Sequence, residues 1–254
     1  MKLFANDAEL RVAAVNGSFM KSARFISTLL IILAASSAAS LAAEEGVAVA
    51  IIYDTSGSMK DSVRDANGTQ TPKYVIANRA LRDIADQLQK FATNNAPDAP
   101  PRRLDAGVYV FEGDNAGAAI PFGPFDAKAI KQFAGSFSHP AGSTPLGNAL
   151  STASRAVLRS PLSRKHVLVI TDGMNTSGPD PRQVLPQLQK RAEAAGTSLS
   201  VHFVAFDVDA KVFDGVKKLG ATVVGAADEK QLNTQLDFIM QRKILLEEEE
   251  HKKP

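Results

Sequence analysis

The chain has 254 residues, 44% of them apolar, and contains neither cysteine nor tryptophan. This length and apolar content are sufficient for one large domain with a full hydrophobic core. The lack of cysteine excludes disulfide bonds, thiol catalysis and cysteine-ligated zinc or iron–sulfur sites.

The first 43 residues have the pattern of an export leader. A short basic segment begins at Met20, residues 25–35 form an apolar run, and small residues follow up to Ala43. This order is typical of a secretory signal peptide, and the apolar run is too short to span a membrane comfortably. We therefore expect cleavage after Ala42 or Ala43 and a periplasmic or secreted protein without a stable membrane span. A retained anchor is the alternative, and translation starts at Met1 or at Met20.

The leader also accounts for the basic balance of the chain. Residues 1–43 hold four Lys or Arg and two Asp or Glu, so the remainder carries 25 residues of each sign. A chain without net charge gives no electrostatic reason to bind nucleic acid. We expect no nucleic-acid partner.

Apolar strands alternate with amphipathic helices along residues 44–246, which we interpret as one domain. Short runs rich in β-branched residues predict strands, and apolar residues at steps of three and four predict helices. The predicted strands are 47–53, 104–111, 118–121, 165–171, 199–206 and 221–224. The predicted helices are 73–91, 126–137, 180–195, 211–219 and 231–246, with another beginning at Pro145.

This alternation predicts an α/β fold with a mainly parallel sheet and helices on both faces. Strands 104–111 and 118–121 are too close for a crossover helix, so they should be antiparallel. Residues 60–72 and 94–101 are predicted loops, and residues 247–254 a charged, solvated tail.

The strand that ends at Tyr53 leads into a cluster of small oxygen-bearing side chains. Asp54, Ser56 and Ser58 follow at a spacing of two, so in an extended chain they point the same way. Ligands of open α/β sheets bind just beyond the carboxyl ends of the strands. One carboxylate and two hydroxyls are a partial Mg²⁺ shell, although such a sequence by itself is also typical of a polar turn.

Two later segments supply further oxygens. Thr144 lies in a Gly/Pro loop entering a helix, where Thr144 or Ser143 fits the cap and Pro145 the first helical position. Asp172 directly follows the strand 165–171. Considered separately, Thr144 is explained as a helix cap and Asp172 as part of a turn that ends a strand. Together with the first segment they supply two carboxylates and three hydroxyls, which with water would build an octahedral Mg²⁺ site. Mn²⁺ and Ca²⁺ are the alternative ions.

In this combination the motifs resemble the metal-ion-dependent adhesion site of the von Willebrand factor type A domain. The matching residues are Asp54-x-Ser56-x-Ser58, Thr144 in Gly-Ser-Thr-Pro-Leu-Gly, and Asp172 in Ile-Thr-Asp-Gly. The resemblance covers roughly residues 46–246 and implies a Rossmann-like, doubly wound sheet with one antiparallel edge strand. It also implies that Ser56 and Ser58 bind the metal directly, and that Asp54, Thr144 and Asp172 bind directly or through water.

The resemblance further implies a protein-binding function in which an Asp or Glu of the partner completes the metal's coordination. We expect Met174, Asn175 and Ser177, on the loop after Asp172, to shape which partner fits. His139 is a candidate for the rim of the site, whereas His166 and His202 fit structural positions.

We expect an interaction module without enzymatic activity, because the chain has no nucleophile-elbow motif and no phosphate-binding loop. The main alternative is a Mg²⁺-dependent hydrolase of a phosphate or ester, in which the metal activates water. A structural surface protein whose site has lost the metal is a third interpretation, and the intact ligand set argues against it.

Overall fold

The computed structural model describes residues 43–93 and 102–246, and these form a six-stranded sheet between two layers of helices. The strands are β1 (Glu44–Tyr53), β4 (Leu104–Glu112), β5 (Asn115–Pro124), β6 (Leu162–Thr171), β7 (Ser200–Phe206) and β8 (Thr222–Ala226). Their order in the sheet is β5-β4-β1-β6-β7-β8, and only β5 runs antiparallel to its neighbour. Two short strands, β2 (Ser62–Arg64) and β3 (Gln70–Pro72), pair as a separate hairpin.

Strand β1 lies at the centre of the sheet, parallel to both β4 and β6. Every side chain from Val47 to Tyr53 is fully buried, as expected for a strand covered on both faces. Side chains alternate between the two faces of the strand. Val49 and Ile51 lie in one hydrophobic cluster, and Ala48, Ala50 and Ile52 lie in the other. The central strand thus carries its carboxyl end, and the residues after it, to the middle of one edge of the sheet.

The helices cover the two faces in two groups. Helices α1 (Lys73–Thr93), α2 (Ala127–Ser136) and α6 (Glu229–Ile239) pack on the face of Val49 and Ile51. Helices α3 (Leu146–Arg159), α4 (Pro181–Ala194) and α5 (Asp214–Lys218) pack on the opposite face. Two 3₁₀ turns, Gly57–Lys60 and Ala210–Phe213, and a π-helical turn, Met240–Ile244, complete the regular structure.

The fold class predicted from the sequence is confirmed: a mainly parallel, Rossmann-like sheet with one antiparallel edge strand. Three local predictions were incomplete. Residues 60–72 contain the hairpin β2–β3, which the sequence conceals because Val63 is its one buried side chain. The antiparallel edge strand runs over Asn115–Pro124 rather than 118–121, because its half-buried Ala and Gly residues lack a strong apolar alternation. The last helix changes to a π-helical turn at Met240.

Several predictions fall outside the described residues, namely the leader up to residue 42, the loop 94–101 and the tail 247–254. Of the helices that the structure describes, none has the length and apolar character needed to cross a membrane.

Candidate metal centre

The candidate site begins with Asp54, the first residue after β1, whose side chain is fully buried. One carboxylate oxygen accepts the backbone N–H of Ser56 at 2.8 Å, and the other accepts the hydroxyl of Thr171 at 2.6 Å. Thr171 ends the neighbouring strand β6, so the parallel pairing of the two strands brings the hydroxyl to the carboxylate. The sequence analysis did not assign this role to Thr171.

Ser56 and Ser58 turn toward the same point as Asp54, although not by continued extension of the strand. Ser56 is extended, but Gly57–Lys60 is a 3₁₀ turn that brings the Ser58 hydroxyl to 3.1 Å from the Ser56 hydroxyl. Ser58 then donates its hydroxyl to Asp172 at 2.8 Å, across 114 residues of chain. The predicted convergence is therefore present, but a tight turn produces it.

Thr144 reaches the site on a loop that is tied to the first motif. The backbone N–H of Ala141 donates to the carbonyl of Thr55 at 2.8 Å, and that of Gly57 to the carbonyl of Gly142 at 3.1 Å. Thr144 is 4% exposed, and its hydroxyl oxygen lies 3.9 Å from the point where a Cβ on Gly173 would stand. The loop thus delivers a buried hydroxyl beside the Asp172–Gly173 turn.

The prediction that Thr144 or Ser143 caps helix α3 was wrong. The cap residue is Pro145, which has no side-chain hydrogen bond, and the helix starts at Leu146. The cap comes from elsewhere in the chain: the side-chain oxygen of Asn175 accepts the backbone N–H of Gly147 at 3.2 Å. A side chain on Gly147 would overlap the carbonyl of Pro179, so the helix end and the loop after Asp172 are in close contact. This arrangement leaves the Thr144 hydroxyl outside the cap.

Asp172, the last predicted ligand, has a fully buried side chain with a different partner on each oxygen. Its Oδ1 accepts the Ser58 hydroxyl, and its Oδ2 forms an ion pair with the Nζ of Lys73 at 2.7 Å. The same ammonium lies 3.4 Å from a carboxylate oxygen of Asp207 and 3.8 Å from one of Asp61. A buried lysine is thus part of the site.

Sequence reasoning missed Lys73 because it lies far from all three motifs. Its position did carry a signal. Lys73 is the first residue of α1, and the partial positive charge at a helix N-terminus disfavours a cation there. A lysine at that position, 4% exposed, therefore requires nearby carboxylates.

The electrostatics of the site indicate a shortage of positive charge. Burial, reinforced by the negative charge of Asp172, raises the pKa of Asp54 to about 6, although hydrogen bonds from Ser56 and Thr171 oppose the shift. Burial would lower the pKa of Lys73, but its contacts with Asp172 and Asp207 outweigh burial and raise it. Of these two buried carboxylates, Asp172 is paired with the ammonium, whereas Asp54 accepts hydrogen bonds from a backbone N–H and a hydroxyl.

This donor set fits a hard divalent cation. The structure places the Asp54, Ser56, Ser58, Thr144 and Asp172 side chains along one edge of the sheet, and their oxygens are the ligand type that Mg²⁺ and Mn²⁺ prefer. A bound divalent ion would supply the missing positive charge and would offer a coordination position to an outside oxygen. That these five residues are the ligands stays a prediction.

The remaining predicted residues have distinct places. Met174 is 59% exposed beside the site, and Ser177 donates to Ser143 at 3.1 Å in the loop packing. His139 is exposed and hydrogen-bonds with its neighbour Ser138. His166 and His202 are buried and stacked on adjacent strands, away from the carboxyl edge, as expected for structural residues.

Comparison with known proteins adds to this geometry. The family model of the von Willebrand factor type A domain matches residues 49–175. No curated protein matches the sequence. Among solved structures, the chain is similar to the PilB minor pilin from Streptococcus sanguinis, with 14% identity and a TM-score of 0.55. That alignment covers 77% of this chain and 61% of the pilin.

Two further structures are similar at the same level. The von Willebrand factor domain of the type V pili tip protein Mfa5 from Porphyromonas gingivalis is 12% identical with a TM-score of 0.56, covering 77% of this chain and 95% of that domain. Proximal thread matrix protein 1 from the mussel byssus, with a zinc-occupied metal-ion-dependent adhesion site, is 13% identical with a TM-score of 0.55. The alignment covers 78% of this chain and 48% of the byssus protein.

Identities this low show the fold alone, and the chain spans less than two thirds of the pilin and of the byssus protein. The family match covers half of the chain and includes all five candidate ligands, the last of which, Asp172, lies three residues before the end of the match. The sheet order and the family match agree. The chain therefore belongs to the von Willebrand factor type A domain family.

Proposed function

We propose that this protein is an exported, metal-dependent interaction module that binds another protein through a Mg²⁺ ion at the candidate site. The observation that carries the proposal is that two distant segments meet where Ser58 bonds to both Ser56 and Asp172, with the Thr144 hydroxyl of a third segment beside Gly173. An Asp or Glu of the partner would take the open coordination position. Binding rather than catalysis is proposed, because both oxygens of each candidate carboxylate are already engaged: those of Asp54 by Ser56 and Thr171, and those of Asp172 by Ser58 and Lys73.

A depression beside the site, lined by apolar residues together with Asn175, Asp180 and Arg182, supports a protein partner. Its volume is about 260 Å³, and it lies between Met174 on the loop after Asp172 and Val212 on the turn that precedes α5. Both side chains are exposed, at 59% and 40%, whereas Phe213, which also lines the depression, is buried. A partner that gives a carboxylate to the metal would bring a neighbouring apolar side chain to this depression.

The decisive experiment is capture of partners from the envelope and medium of the source cell, with Mg²⁺ and with chelator. Capture should require Mg²⁺ and should be lost in Ser56→Ala/Ser58→Ala. The matched control is Ser198→Ala/Ser200→Ala, a serine pair of the same spacing. It lies at the amino end of β7, away from the candidate site at the carboxyl ends of the strands, so this variant should capture partners normally. Mutation of one Asp or Glu of the partner to Ala should also abolish capture.

Two outcomes would contradict the proposal. Capture that survives chelator and the double serine variant would mean that the partner uses another face. Turnover of a phosphate or ester by the purified protein with Mg²⁺, lost in Asp54→Ala, would favour the hydrolase alternative.

Met174 tests the contribution of the loop. Met174→Ser should weaken partner capture and leave Mg²⁺ affinity unchanged, because the side chain points to solvent. Asn175 is unsuited to this test, since its side chain caps α3.

Export is the second part of the proposal, and it rests on the leader pattern of residues 20–43. The presence of the fold in a minor pilin and a pilus tip protein makes an extracytoplasmic role a natural first test. N-terminal sequencing of protein from the source cell should find a start at Ala43 or Glu44. A mature chain that retains residues 25–35 would indicate an anchor instead.

A further inference from the structure

We propose that the positive charge of Lys73 lowers the affinity of the candidate site for its metal ion. The same charge raises the affinity of the metal-loaded site for an anionic group of the partner. This inference rests on the proposed metal-dependent function and concerns how the same site selects its ligand. Lys73 is a positioning and specificity-determining residue in this view, and it is not itself a metal ligand.

The first step is the contact between Lys73 and Asp172. The ammonium lies 2.7 Å from Asp172 Oδ2, and the side chains are 5% and 0% exposed. The other oxygen, Oδ1, faces Ser58 at 2.8 Å. Because the lysine occupies one oxygen, Asp172 offers the metal shell a single oxygen on the Ser58 side. Lys73 thereby determines the orientation of this carboxylate.

The second step is the charge of the buried site. Asp54 and Asp172 contribute two negative charges and Lys73 one positive charge, so one net negative charge remains. A divalent ion changes this to one net positive charge. An anionic group at the open coordination position would neutralise the site, whereas a water molecule would not. With an apolar residue in place of Lys73, the ion would already be neutralised by the two carboxylates.

Asp207 and Asp61 also lie near the ammonium of Lys73 and offset part of its charge. They lie at 3.4 and 3.8 Å, farther than Asp172, and their side chains are 41% and 72% exposed. Water screens charges at exposed positions much more than at buried ones. The ammonium is therefore felt most strongly at the buried Asp172, and Asp207 moderates it.

The backbone holds this arrangement in place. Lys73 is the first residue of α1, and its own N–H donates to the carbonyl of Asp61 at 2.8 Å, which closes the base of the hairpin β2–β3. The lysine is thus held by the helix and the hairpin together. Its ammonium is fixed at the metal edge by the fold and not by a flexible surface side chain.

The test measures Mn²⁺ and acetate on the full protein, without any partner. Mn²⁺ affinity is measured by titration calorimetry, and acetate affinity of the Mn²⁺-loaded protein by the relaxation of metal-bound water protons. In Lys73→Met, Mn²⁺ should bind about tenfold more tightly, and acetate about tenfold more weakly, because a nearby positive charge is removed. Lys90→Met, the same substitution at an exposed position of the same helix, should change neither affinity.

A second variant keeps the inference testable if Lys73→Met folds poorly. Asp207→Asn leaves Lys73 in place and removes a carboxylate that moderates it. Mn²⁺ should then bind about threefold more weakly and acetate more tightly, the reverse of the first variant.

The outcomes separate this inference from the proposed function. Absence of Mn²⁺ binding in the unmodified protein would overturn both. Mn²⁺ binding with unchanged or weaker affinity in Lys73→Met would overturn the inference alone. Tighter Mn²⁺ binding with unchanged acetate affinity would show that Lys73 only competes with the ion, which also overturns it. Unchanged affinities in Asp207→Asn would count against the charge argument in the same way.

Discussion

The hairpin β2–β3 has a cluster of carboxylates at each end, and the two clusters are satisfied in different ways. At the tip, Asp65 accepts the N–H groups of Asn67 and Thr69, both at 2.9 Å, and the Thr71 hydroxyl at 3.0 Å. At the base lie Lys73 and the buried metal edge. The hydrogen bonds, led by that from Thr69, lower the pKa of Asp65, whereas burial and Asp172 raise that of Asp54.

The same difference appears in the ion pairs. Glu229 at the start of α6 accepts the N–H of Ala66 at 2.7 Å and pairs with Arg79 at 2.8 Å, which fastens the hairpin to two helices. Every group in that contact has a partner from the chain. At the base, the buried Asp172 pairs with the ammonium of Lys73, and the buried Asp54 is held by uncharged donors. The carboxylates at the hairpin tip are thus compensated by groups of the chain itself, whereas at the base Asp54 keeps a raised pKa through burial and the negative charge of Asp172.

The largest expected effect is a loss of folding stability when Lys73 is replaced. Lys73→Met leaves the carboxylate of Asp172 buried without its ion-pair partner, and breaking a buried pair in this way costs about 3–5 kcal/mol. Urea unfolding in the presence of chelator should show this loss. Lys90→Met should stay within about 0.5 kcal/mol of the parent, as exposed substitutions do. A loss no larger than that of Lys90→Met would mean that the ion pair does not stabilise the folded state.

The second effect is stabilisation by metal. At a hundredfold excess over its dissociation constant, Mg²⁺ should stabilise the folded protein by about 2.7 kcal/mol. Asp54→Asn should abolish this response, and without metal it should be at least as stable as the parent at pH 7, because the costly buried charge is gone.

The matched variant at the hairpin tip should behave in the opposite manner. Asp65→Asn should lower stability with or without metal, because it weakens acceptors for two N–H groups, and it should retain the full Mg²⁺ response. Thermal unfolding of both variants with Mg²⁺ and with chelator checks the pair. A Mg²⁺ response that persists in Asp54→Asn would place the ion elsewhere.

The third effect concerns the attachment of the hairpin. Glu229→Gln should cost about 2 kcal/mol, the scale of a hydrogen bond to a charged group, since Arg79 and Ala66 lose a charged acceptor. Amides of residues 62–72 should exchange faster with solvent, while Mg²⁺ affinity stays unchanged. Glu193→Gln, at an exposed position on α4, is the control. A large fall in Mg²⁺ affinity would show that the two ends of the hairpin are coupled after all.

The smallest effect is the pH dependence of metal binding. With a pKa of about 6, Asp54 is mostly protonated at pH 5 and must lose this proton before it can bind an ion. At pH 7 it is mostly ionised, so no proton has to be lost. Mg²⁺ affinity should therefore fall about tenfold from pH 7 to pH 5, a factor that follows from the fraction ionised. Calorimetric titrations at pH 5, 6, 7 and 8 should show a plateau above pH 7. An affinity independent of pH would indicate that Asp54 is ionised throughout.

Stability without metal should depend on pH in the opposite direction. The pKa of Asp54 in the folded state, about 6, lies above its ordinary value of 3.8. Between about pH 4 and 6 the folded state therefore binds more protons than the unfolded state. The contribution of this group to stability then falls as pH rises through that window. Asp54→Asn should remove the trend.

The strand ends that carry the candidate motifs were readable from the sequence because each depends on local chemistry. A run of buried residues up to Tyr53 predicts a strand, and small oxygen-bearing residues directly after it mark a strand end. Asp172 follows Thr171 in the same way. Such signals need only neighbours in the chain, so alternation and spacing reveal them.

The contacts between these segments were not readable. The assignment of Thr144 as a helix cap failed because a local rule was applied where a distant side chain, that of Asn175, performs the capping. The hairpin was missed because Asp65 and Glu229 hold it with polar contacts that leave no apolar pattern. Lys73 resembled an ordinary polar residue in the first turn of a helix.

The sequence by itself determined the α/β alternation, the central strand and the five oxygen-bearing residues at strand and loop ends, because these follow from periodicity and from residue type. Only the tertiary structure decided that Lys73 faces Asp172 with both side chains buried, and that the hairpin and α1 hold it there. The physical reason is that charge pairing acts through space. Whether a lysine is solvated or compensates a buried carboxylate depends on which segments the fold brings within about 4 Å, a distance at which burial multiplies the interaction severalfold over that in water.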